Sequence, residues 1–133
     1  MADTTNTPSV VVDASCILSR LLPDEKVKMR FASYFQRFSH GSLIFIAPKL
    51  LRYEVANALR SATIQKRIDE SIGEELLIEF LKLPILYLED DVVDTYKVAI
   101  DLNISVYDAV YVWLAKKKHI PLLSLDENLH NVS

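Results

Sequence analysis

The sequence predicts an α/β fold in which a central parallel sheet of four or five short strands is flanked by helices, giving three layers. Short apolar segments alternate along the chain with longer amphipathic segments, which is the order expected when helices connect parallel strands. The first apolar segment, "SVVVDAS" from Ser9, is rich in β-branched residues up to Asp13, as is typical of a strand buried on both faces. The 133 residues, half of them hydrophobic, are enough to form a single core.

The ends and the composition of the chain indicate one cytoplasmic domain. Residues 1–8 are polar and have neither the basic start nor the apolar run of a signal peptide, so we expect a flexible tail there and a single domain over residues 9–133. No apolar run approaches the roughly 20 residues that cross a bilayer, so we expect no membrane association. The only cysteine, Cys16, fits a small buried residue in a reducing compartment.

Two helices are expected between the first and second strands. Ser15 has the side chain of an N-cap residue, and the helix that it begins is expected to run through Leu22. A second helix over about residues 24–39 is followed by Gly41, a stop signal. This helix carries four aromatic residues at helical spacing that either pack on the sheet or, if exposed, bind another protein: Phe31, Tyr34, Phe35 and Phe38.

The middle of the chain predicts a strand, two helices and another strand. The segment "LIFIA" (43–47) is typical of a strand, and Pro48 stands where the first residue of a helix is expected, because proline is favoured at that position. That helix is expected to end near residue 67, and a further helix to cover about 69–82. The apolar segment "ILYL" (85–88) then forms the third strand.

The last third of the chain predicts two helices and a final strand. A helix over about residues 90–101 is followed by Asn103, a residue that tolerates the left-handed conformation at a helix end. The next helix begins at Ser105 with "SVYDAVYVWLA", which is apolar on all sides and therefore expected to be largely buried, with Trp113 in the core. The segment 120–126 forms a strand that ends at an acidic residue.

Asp108 is the one charged residue in that apolar helix, and two explanations are open. Ser105 and Asp108 have the spacing of a capping box, in which the carboxylate also faces the positive end of the helix dipole. Alternatively, the carboxylate is buried for a function, because an ionised carboxylate is costly to bury unless something pairs with it. The other acids of the chain decide between these explanations.

Four acids fall where a ligand site is expected. In open parallel sheets, ligands bind beyond the carboxyl ends of the strands, where Asp13 and Asp126 follow the first and last strands and where Asp108 begins the helix before the last strand. Glu54 borders the apolar stripe of its helix. Each acid has a structural alternative: a turn or cap for Asp13, a solvated helix margin for Glu54, a capping box for Asp108 and the cap of a C-terminal helix for Asp126.

A cluster of these acids would require a cation. Carboxylates within about 4 Å of each other repel by about 4 kcal/mol per pair at an effective dielectric constant near 20, and protonation or a divalent cation relieves that repulsion. Oxygen ligands without His or Cys select hard ions, Mg²⁺ or Mn²⁺. The three histidines, His40, His119 and His130, have no partner at ligand spacing and are interpreted as surface residues. The sequence has no GxGxxG and no GxxxxGK[ST] motif, which excludes the common nucleotide-binding loops.

The four acidic segments together resemble the PIN-domain family, and within it the small single-domain VapC-type toxins. The resemblance covers the chain from Val10 to about Leu129 and rests on four motifs in order. They are "VVVDAS", "APKLLRYEVANAL", "SVYDAVYVWLA" and "PLLSLDENL", which match a strand ending in Asp-x-Ser, a helix with Glu and Asn three residues apart, a buried helix that begins with Tyr-Asp-Ala, and a strand followed by Ser and Asp.

The resemblance implies a PIN-like nuclease domain with metal-dependent ribonuclease activity. It implies an acidic cluster of Asp13, Glu54, Asp108 and Asp126, in which Asp13 and Asp108 are the principal metal ligands. It also implies supporting roles for Ser15, Asn57 and Ser124, which would orient carboxylates or bound water. The small toxins of the family are held inactive by a cognate antitoxin and often form homodimers, so both partners are expected, together with an RNA substrate. Whether one or two ions bind, and whether Glu54 or Asp126 accepts a proton from water, stays open.

The net charge of −3 argues mildly against a nucleic-acid-binding protein. Neutralising the four carboxylates would bring that charge to +1, which weakens the objection. Basic residues on the predicted helices either rim the site or are ordinary solvated charges: Arg20, Lys49, Arg52, Arg60 and the "KKK" segment at 116–118.

Two other functions are compatible with the sequence. One is a Mg²⁺-dependent phosphatase of the haloacid-dehalogenase type, although such sites resemble Asp-x-Asp after the first strand and here the second position is Ser15. The other is a catalytically silent PIN-like module that binds RNA or protein. A missing acid would favour the silent module, but all four acids are present.

Overall fold

The computed structural model describes residues 6–22 and 29–132, which form a four-stranded parallel sheet surrounded by helices. Residues 1–5 of the predicted N-terminal tail lie outside the described residues. The strands are β1 (Ser9–Val12), β2 (Ile44–Pro48), β3 (Leu86–Leu88) and β4 (Leu122–Leu123). The helices are α1 (Ala14–Leu21), α2 (Met29–Ser39), α3 (Leu50–Ile64), α4 (Glu70–Leu81), α5 (Val92–Leu102), α6 (Val106–Lys118) and α7 (Glu127–Val132).

The order of the strands creates a switch point at the carboxyl end of β1. The sheet runs β3-β2-β1-β4, so the chain adds β2 and β3 on one side of β1 and then returns to add β4 on the other side. Because crossovers between parallel strands are right-handed, this reversal places α5 and α6 on the face opposite α1 to α4. The three-layer α/β fold predicted from the sequence is confirmed, and the switch point is where such folds bind ligands.

The aromatic residues of α2 pack on the sheet. Phe31 is fully buried, and Phe38 stacks on Phe45 of β2 with 4.1 Å between the ring centroids. Phe35 meets the same Phe45 ring edge-on at 5.6 Å. The packing explanation is therefore correct for this stripe, while the predicted start of the helix at residues 24–28 lies outside the described residues. Gly41, with φ of 76°, ends the segment as expected.

Two predicted helix starts are wrong by one or two residues. The N-cap of α1 is Asp13 rather than Ser15, because the Asp13 carboxylate accepts the backbone N–H of Cys16. Pro48 is the last residue of β2 rather than the first of α3. The pairing of β2 with β1 ends at Ile46, so proline is tolerated at this strand end, where a missing N–H breaks no bond to β1.

The helix ends in the second half of the chain follow the sequence closely. Asn103 has φ of 53° at the end of α5, and the hydroxyl of Ser105 accepts the backbone N–H of Asp108 at 3.0 Å, so Ser105 is the N-cap of α6. The centre of α6 is buried from Ala109 to Val112, but its first turn is not, since Tyr107 is 64% exposed. The helix is therefore a core element with an exposed N-terminal turn. The predicted end of α3 near residue 67 is three residues late.

No single helix among the described residues is both long and apolar enough to cross a membrane; α5 and α6 reach that composition only as a pair, and the pair is bent by 104°.

Candidate active site

Asp13 lies at the switch point of the sheet, directly after β1. Only 7% of it is exposed. Its Oδ1 accepts the hydroxyl of Ser15 at 2.7 Å and the backbone N–H of Cys16 at 3.0 Å, and its Oδ2 accepts the hydroxyl of Ser124, the residue after β4. Burial raises the pKa of this carboxyl above its ordinary value even though the three hydrogen bonds lower it. The fold thus holds a carboxylate where ionisation is costly.

Glu54 reaches the same region from the middle of α3. The hydroxyl of Tyr111, on α6, donates to Glu54 Oε1 at 2.5 Å. Burial raises the pKa of Glu54, the Tyr111 hydrogen bond lowers it, and the charges of Asp108 and Asp13 raise it further. The pKa of Tyr111 is raised as well, chiefly by burial and by its bond to Glu54. Tyr111 therefore stays protonated and acts as a fixed donor to the carboxylate.

Asp108 is half-buried in the first turn of α6. Its backbone N–H is capped by Ser105. Its carboxylate is close enough to Asp13 and Glu54 to raise the pKa of both. The two explanations offered for Asp108 are therefore compatible, since the residue begins a helix and also belongs to an acidic group.

The structure brings three of the four predicted acids together. Asp13, Glu54 and Asp108 come from three separate segments and repel one another, and no basic side chain of the described residues lowers the pKa of Asp13 or Glu54. Within residues 6–22 and 29–132, however, no three Asp, Glu, His or Cys side chains stand in position to bind one ion. The group is an uncompensated acidic cluster with the side chains in their present rotamers.

The carboxylate of Asp126 makes its own contacts, with α7. Its Oδ1 accepts the backbone N–H groups of Asn128 at 3.0 Å and Leu129 at 3.4 Å, so it caps the short helix α7. The residue is exposed, and the pKa values of the other acids show no influence of its charge. Asp126 is therefore the cap of a C-terminal helix, which is the structural alternative given for it above. Among the described residues, its Oδ2 has no hydrogen bond.

Ser15 and Ser124 connect the ends of β1 and β4. Both hydroxyls donate to Asp13, while Ser15 Oγ accepts the backbone N–H of Leu125 at 2.9 Å and Ser124 Oγ accepts that of Asp126 at 3.0 Å. Each serine therefore fixes the Asp13 carboxylate and the loop that leads to α7. This is the orienting role expected for the two residues, and Ser124 is fully buried in performing it.

Other residues singled out by the sequence lie outside this network. Asn57 is exposed and has no hydrogen bond to the acids within the described part of the chain. Lys49 pairs with Glu89 at the surface, and the guanidinium of Arg52 lies over the ring of Tyr87, 5.4 Å from its centroid. Cys16 is buried, and burial raises the pKa of its thiol to about 12, so it is an inert core residue.

Tyr111 is the contact that sequence reasoning missed. It was assigned only to the core, within "YVWLA", yet its hydroxyl is the one side-chain donor that reaches Glu54 among the described residues. A signal was present, because Tyr111 stands three residues after Asp108 and therefore on the same face of α6. What the sequence could not supply was the approach of α6 to α3.

The donor chemistry of the cluster fits a hard divalent cation. The groups offered are carboxylates with no imidazole, and the neighbouring thiol is protonated. The burial of Asp13 without a basic partner leaves negative charge that a cation would neutralise. Asp13, Glu54 and Asp108 are the residues that would hold such an ion, and their side chains would have to rearrange to bind it together.

Comparisons with known proteins agree with this architecture. The family model for the PIN domain matches residues 10–133. The chain is 32% identical over 124 residues to Ribonuclease VapC3 of Pyrobaculum aerophilum, covering 90% of this chain and 91% of that protein.

Two solved structures share the fold. The crystal structure of PAE2754 from Pyrobaculum aerophilum superposes with a TM-score of 0.74 at 24% identity, over 96% of this chain and 81% of that one. The structure of Mycobacterium tuberculosis VapC20, described as a sarcin–ricin loop cleaving toxin, gives a TM-score of 0.65 at 12% identity, over 93% of this chain and 95% of that one. The extent of the family match and the identity to the ribonuclease show that this chain belongs to the PIN-domain family.

Proposed function

We propose that the protein is a Mg²⁺-dependent endoribonuclease that hydrolyses phosphodiester bonds in RNA, with Mn²⁺ as a possible substitute. The observation that carries this proposal is that Asp13, Glu54 and Asp108 act on one another's charge at the switch point of the sheet, while no basic side chain of the described residues lowers the pKa of Asp13 or Glu54. The relative that is 32% identical is named a ribonuclease, which supports the same activity.

The residues of the site would have different roles in hydrolysis. A divalent cation, when bound, would supply the chemistry of water activation and of charge neutralisation at the phosphate. Asp13, fixed by Ser15 and Ser124, and Asp108, placed at the start of α6, supply the principal ligands for it. Their separate origins mean that the folded chain, and not any one segment, creates the site.

Glu54 is the better candidate for accepting the proton of the attacking water. Burial and its acidic neighbours raise its pKa, which makes it a stronger base than a free glutamate. Tyr111 holds Oε1, which leaves Oε2 for the proton. Asp126, whose Oδ1 caps α7, is the fourth acid and would act from the margin, through water on Oδ2.

The partners of the enzyme follow from its relatives. VapC20 is described as a toxin, and we extend that role to this chain as the toxin of a VapBC-type pair, acting on cytoplasmic RNA and held inactive by a cognate antitoxin. A homodimer is also proposed. The resemblance to the small toxins of the family, which often form homodimers, supports this.

The decisive experiment is an RNA cleavage assay with the purified protein in Mg²⁺, in EDTA, and with the variant Asp108→Asn. Cleavage in Mg²⁺ that both EDTA and the substitution abolish would support the nuclease. RNA binding without cleavage in any condition would instead identify a silent module, and phosphoaspartate accumulating at Asp13 would identify a phosphatase. The structure favours the nuclease over the phosphatase because the second residue after Asp13 is Ser15, whose hydroxyl is engaged in holding Asp13.

A further inference from the structure

A groove of about 230 Å³ opens between the first turns of α3, α5 and α6. Its walls are mainly apolar. Two of its residues provide groups that can recognise a ligand, namely the exposed ring of Tyr107 and the carboxylate of Asp90. The apolar walls include Leu50, Val92, Val106 and Val110.

This groove adjoins the acidic cluster. Leu50 lines the groove and lies four residues before Glu54 on α3, a spacing that puts their Cβ atoms about 5–6 Å apart. Tyr107 and Asp108 are consecutive residues of α6 and point in different directions. The starts of α3 and α5 follow the carboxyl ends of β2 and β3, so the groove lies at the same edge of the sheet as Asp13. The groove is therefore beside the acids on the Glu54 side.

The dimensions and chemistry of the groove suit one nucleobase. Pockets for drug-sized ligands have volumes of roughly 300–1,000 Å³, so a groove of about 230 Å³ accepts a smaller group. The ring of Tyr107 is 64% exposed, and proteins that bind single-stranded RNA stack unpaired bases on such aromatic side chains. The Asp90 carboxylate can accept two N–H bonds at once, which matches the adjacent N–H donors on the Watson–Crick edge of guanine.

We propose that this groove binds one base of the RNA next to the scissile phosphate, with Tyr107 stacking on the base and Asp90 selecting guanine. This inference rests on the proposed ribonuclease function and adds a specificity site to it. Tyr107 is a positioning residue in this scheme, because it holds the strand while the acids act on the phosphate.

The first test measures RNA affinity with Ca²⁺ in place of Mg²⁺, so that a divalent cation neutralises the acids, and a gel checks that the RNA stays uncut. Fluorescence anisotropy with a short, fluorescein-labelled single-stranded RNA of randomised sequence is compared for the wild-type protein, Tyr107→Ala, Tyr107→Phe and Tyr96→Ala. Loss of one stacked base is worth about a fivefold or larger rise in the dissociation constant, so Tyr107→Ala should show that rise and Tyr107→Phe should not. Tyr96, which is 57% exposed on α5 and does not line the groove, is the matched control.

If Tyr107→Ala binds the RNA as tightly as the wild-type protein does, the proposal is wrong, and the groove would instead bind a protein. An equal loss in Tyr96→Ala would overturn it too, because any exposed aromatic residue would then matter. These results do not depend on cleavage, so a protein that fails to cut RNA but shows the Tyr107 effect would refute the nuclease and retain the base-binding groove.

The second test concerns the choice of base. Cleavage sites of the wild-type protein in a randomised RNA library should be enriched in guanine at one position beside the cut. In Asp90→Asn this enrichment should fall to the guanine frequency of the uncut library, because discrimination between the bases is lost. Wild-type enrichment in Asp90→Asn, or no enrichment in the wild type, would overturn the role of Asp90.

Discussion

Asp13 is a buried carboxylate that no basic side chain of the described residues neutralises. Its carboxylate is held by two serine hydroxyls and one backbone N–H, all of them neutral donors. Such donors fix the orientation of the carboxylate and offset part of the cost of burial, but the pKa stays raised. The cost is consistent with a residue selected for binding a cation rather than for stability.

The variant Asp13→Asn tests this interpretation through the pH dependence of stability. Because the pKa of Asp13 is higher in the folded protein than its ordinary value of 3.8, the folded state holds a proton that the unfolded chain has already released. Raising the pH through that window therefore destabilises the metal-free protein. We expect Asp13→Asn, which can keep the cap through its carbonyl oxygen, to have a higher Tm than wild type in EDTA at pH 7 and a smaller advantage near pH 4. A pH-independent difference in Tm would contradict this expectation.

Tyr111 is a second residue whose role can be separated from simple packing. Its hydrogen bond lowers the pKa of Glu54, so Tyr111→Phe should raise that pKa and move the acidic limb of the kcat profile for RNA cleavage to higher pH. Loss of one hydrogen bond should also cost about 1 kcal/mol of stability. The variant Tyr34→Phe, on the distant helix α2, is a control for the loss of a tyrosine hydroxyl. An unchanged pH profile in Tyr111→Phe would reduce Tyr111 to a core residue.

Helix α6 shows how one element positions two functional groups. Ser105 caps its first turn, which places Asp108, and one turn later Tyr111 reaches Glu54 on α3. The lysines in its last turn favour the same helix through its dipole. The local sequence thus fixes where α6 begins, and that start sets the position of the acid.

The N-cap of α6 can be tested directly. Ser105→Ala removes the hydroxyl that accepts the Asp108 N–H and should cost about 1 kcal/mol in the free energy of unfolding measured with urea. Because the first turn would fray, we also expect kcat for RNA cleavage to fall. Ser105→Asn retains a capping side chain and should restore most of both quantities. If Ser105→Ala is as stable as wild type, the cap does not set the start of the helix.

Local signals explain which elements were predictable. The β-branched run of β1, the αL position of Asn103 and the capping serine of α6 act within a few residues, and the sequence located all three. The errors arose where tertiary contacts decide. The sequence predicts Pro48 in a helix, but β2 continues to Pro48. There it pairs with β3 and no longer with β1, and nothing in the local sequence reveals this pairing.

The site was predictable in part for the same reason. Asp13 and Asp108 follow from the rule that ligands bind at the carboxyl edge of a parallel sheet, and Glu54 lies with them. The position of Asp126 depends on α7, whose backbone N–H groups take up its Oδ1. That capping contact could not be read from the short strand that precedes it.

At the scale of the whole molecule, the chain order of the strands creates the site. Since β4 returns to the side of β1 opposite β2, the ends of the first and last strands become neighbours, and Ser124 meets Asp13 across 111 positions of sequence. α3 and α6 then bring Glu54 and Asp108 to this place. The prediction of family and fold is confirmed, while the metal, the RNA target and the partners stay proposals.

The acidic cluster also reconciles the net charge of −3 with a nucleic-acid substrate. A cation bound at these acids would turn a site that repels phosphate into one that attracts it. Affinity for RNA should therefore be modest and should depend on both the cation and the ionic strength.

The most direct measurement of the central claim is the affinity for Mn²⁺, determined by isothermal titration calorimetry on wild type, Asp13→Asn, Asp108→Asn and Asp126→Asn. If acids from separate segments bind one cation at the switch point, Asp13→Asn and Asp108→Asn should each weaken binding about tenfold or more, the loss found when groups that hold a metal are removed. Asp126→Asn should stay within about threefold of wild type, because Asp126 caps α7 at the margin of the site. Wild-type affinity in both Asp13→Asn and Asp108→Asn would contradict the account.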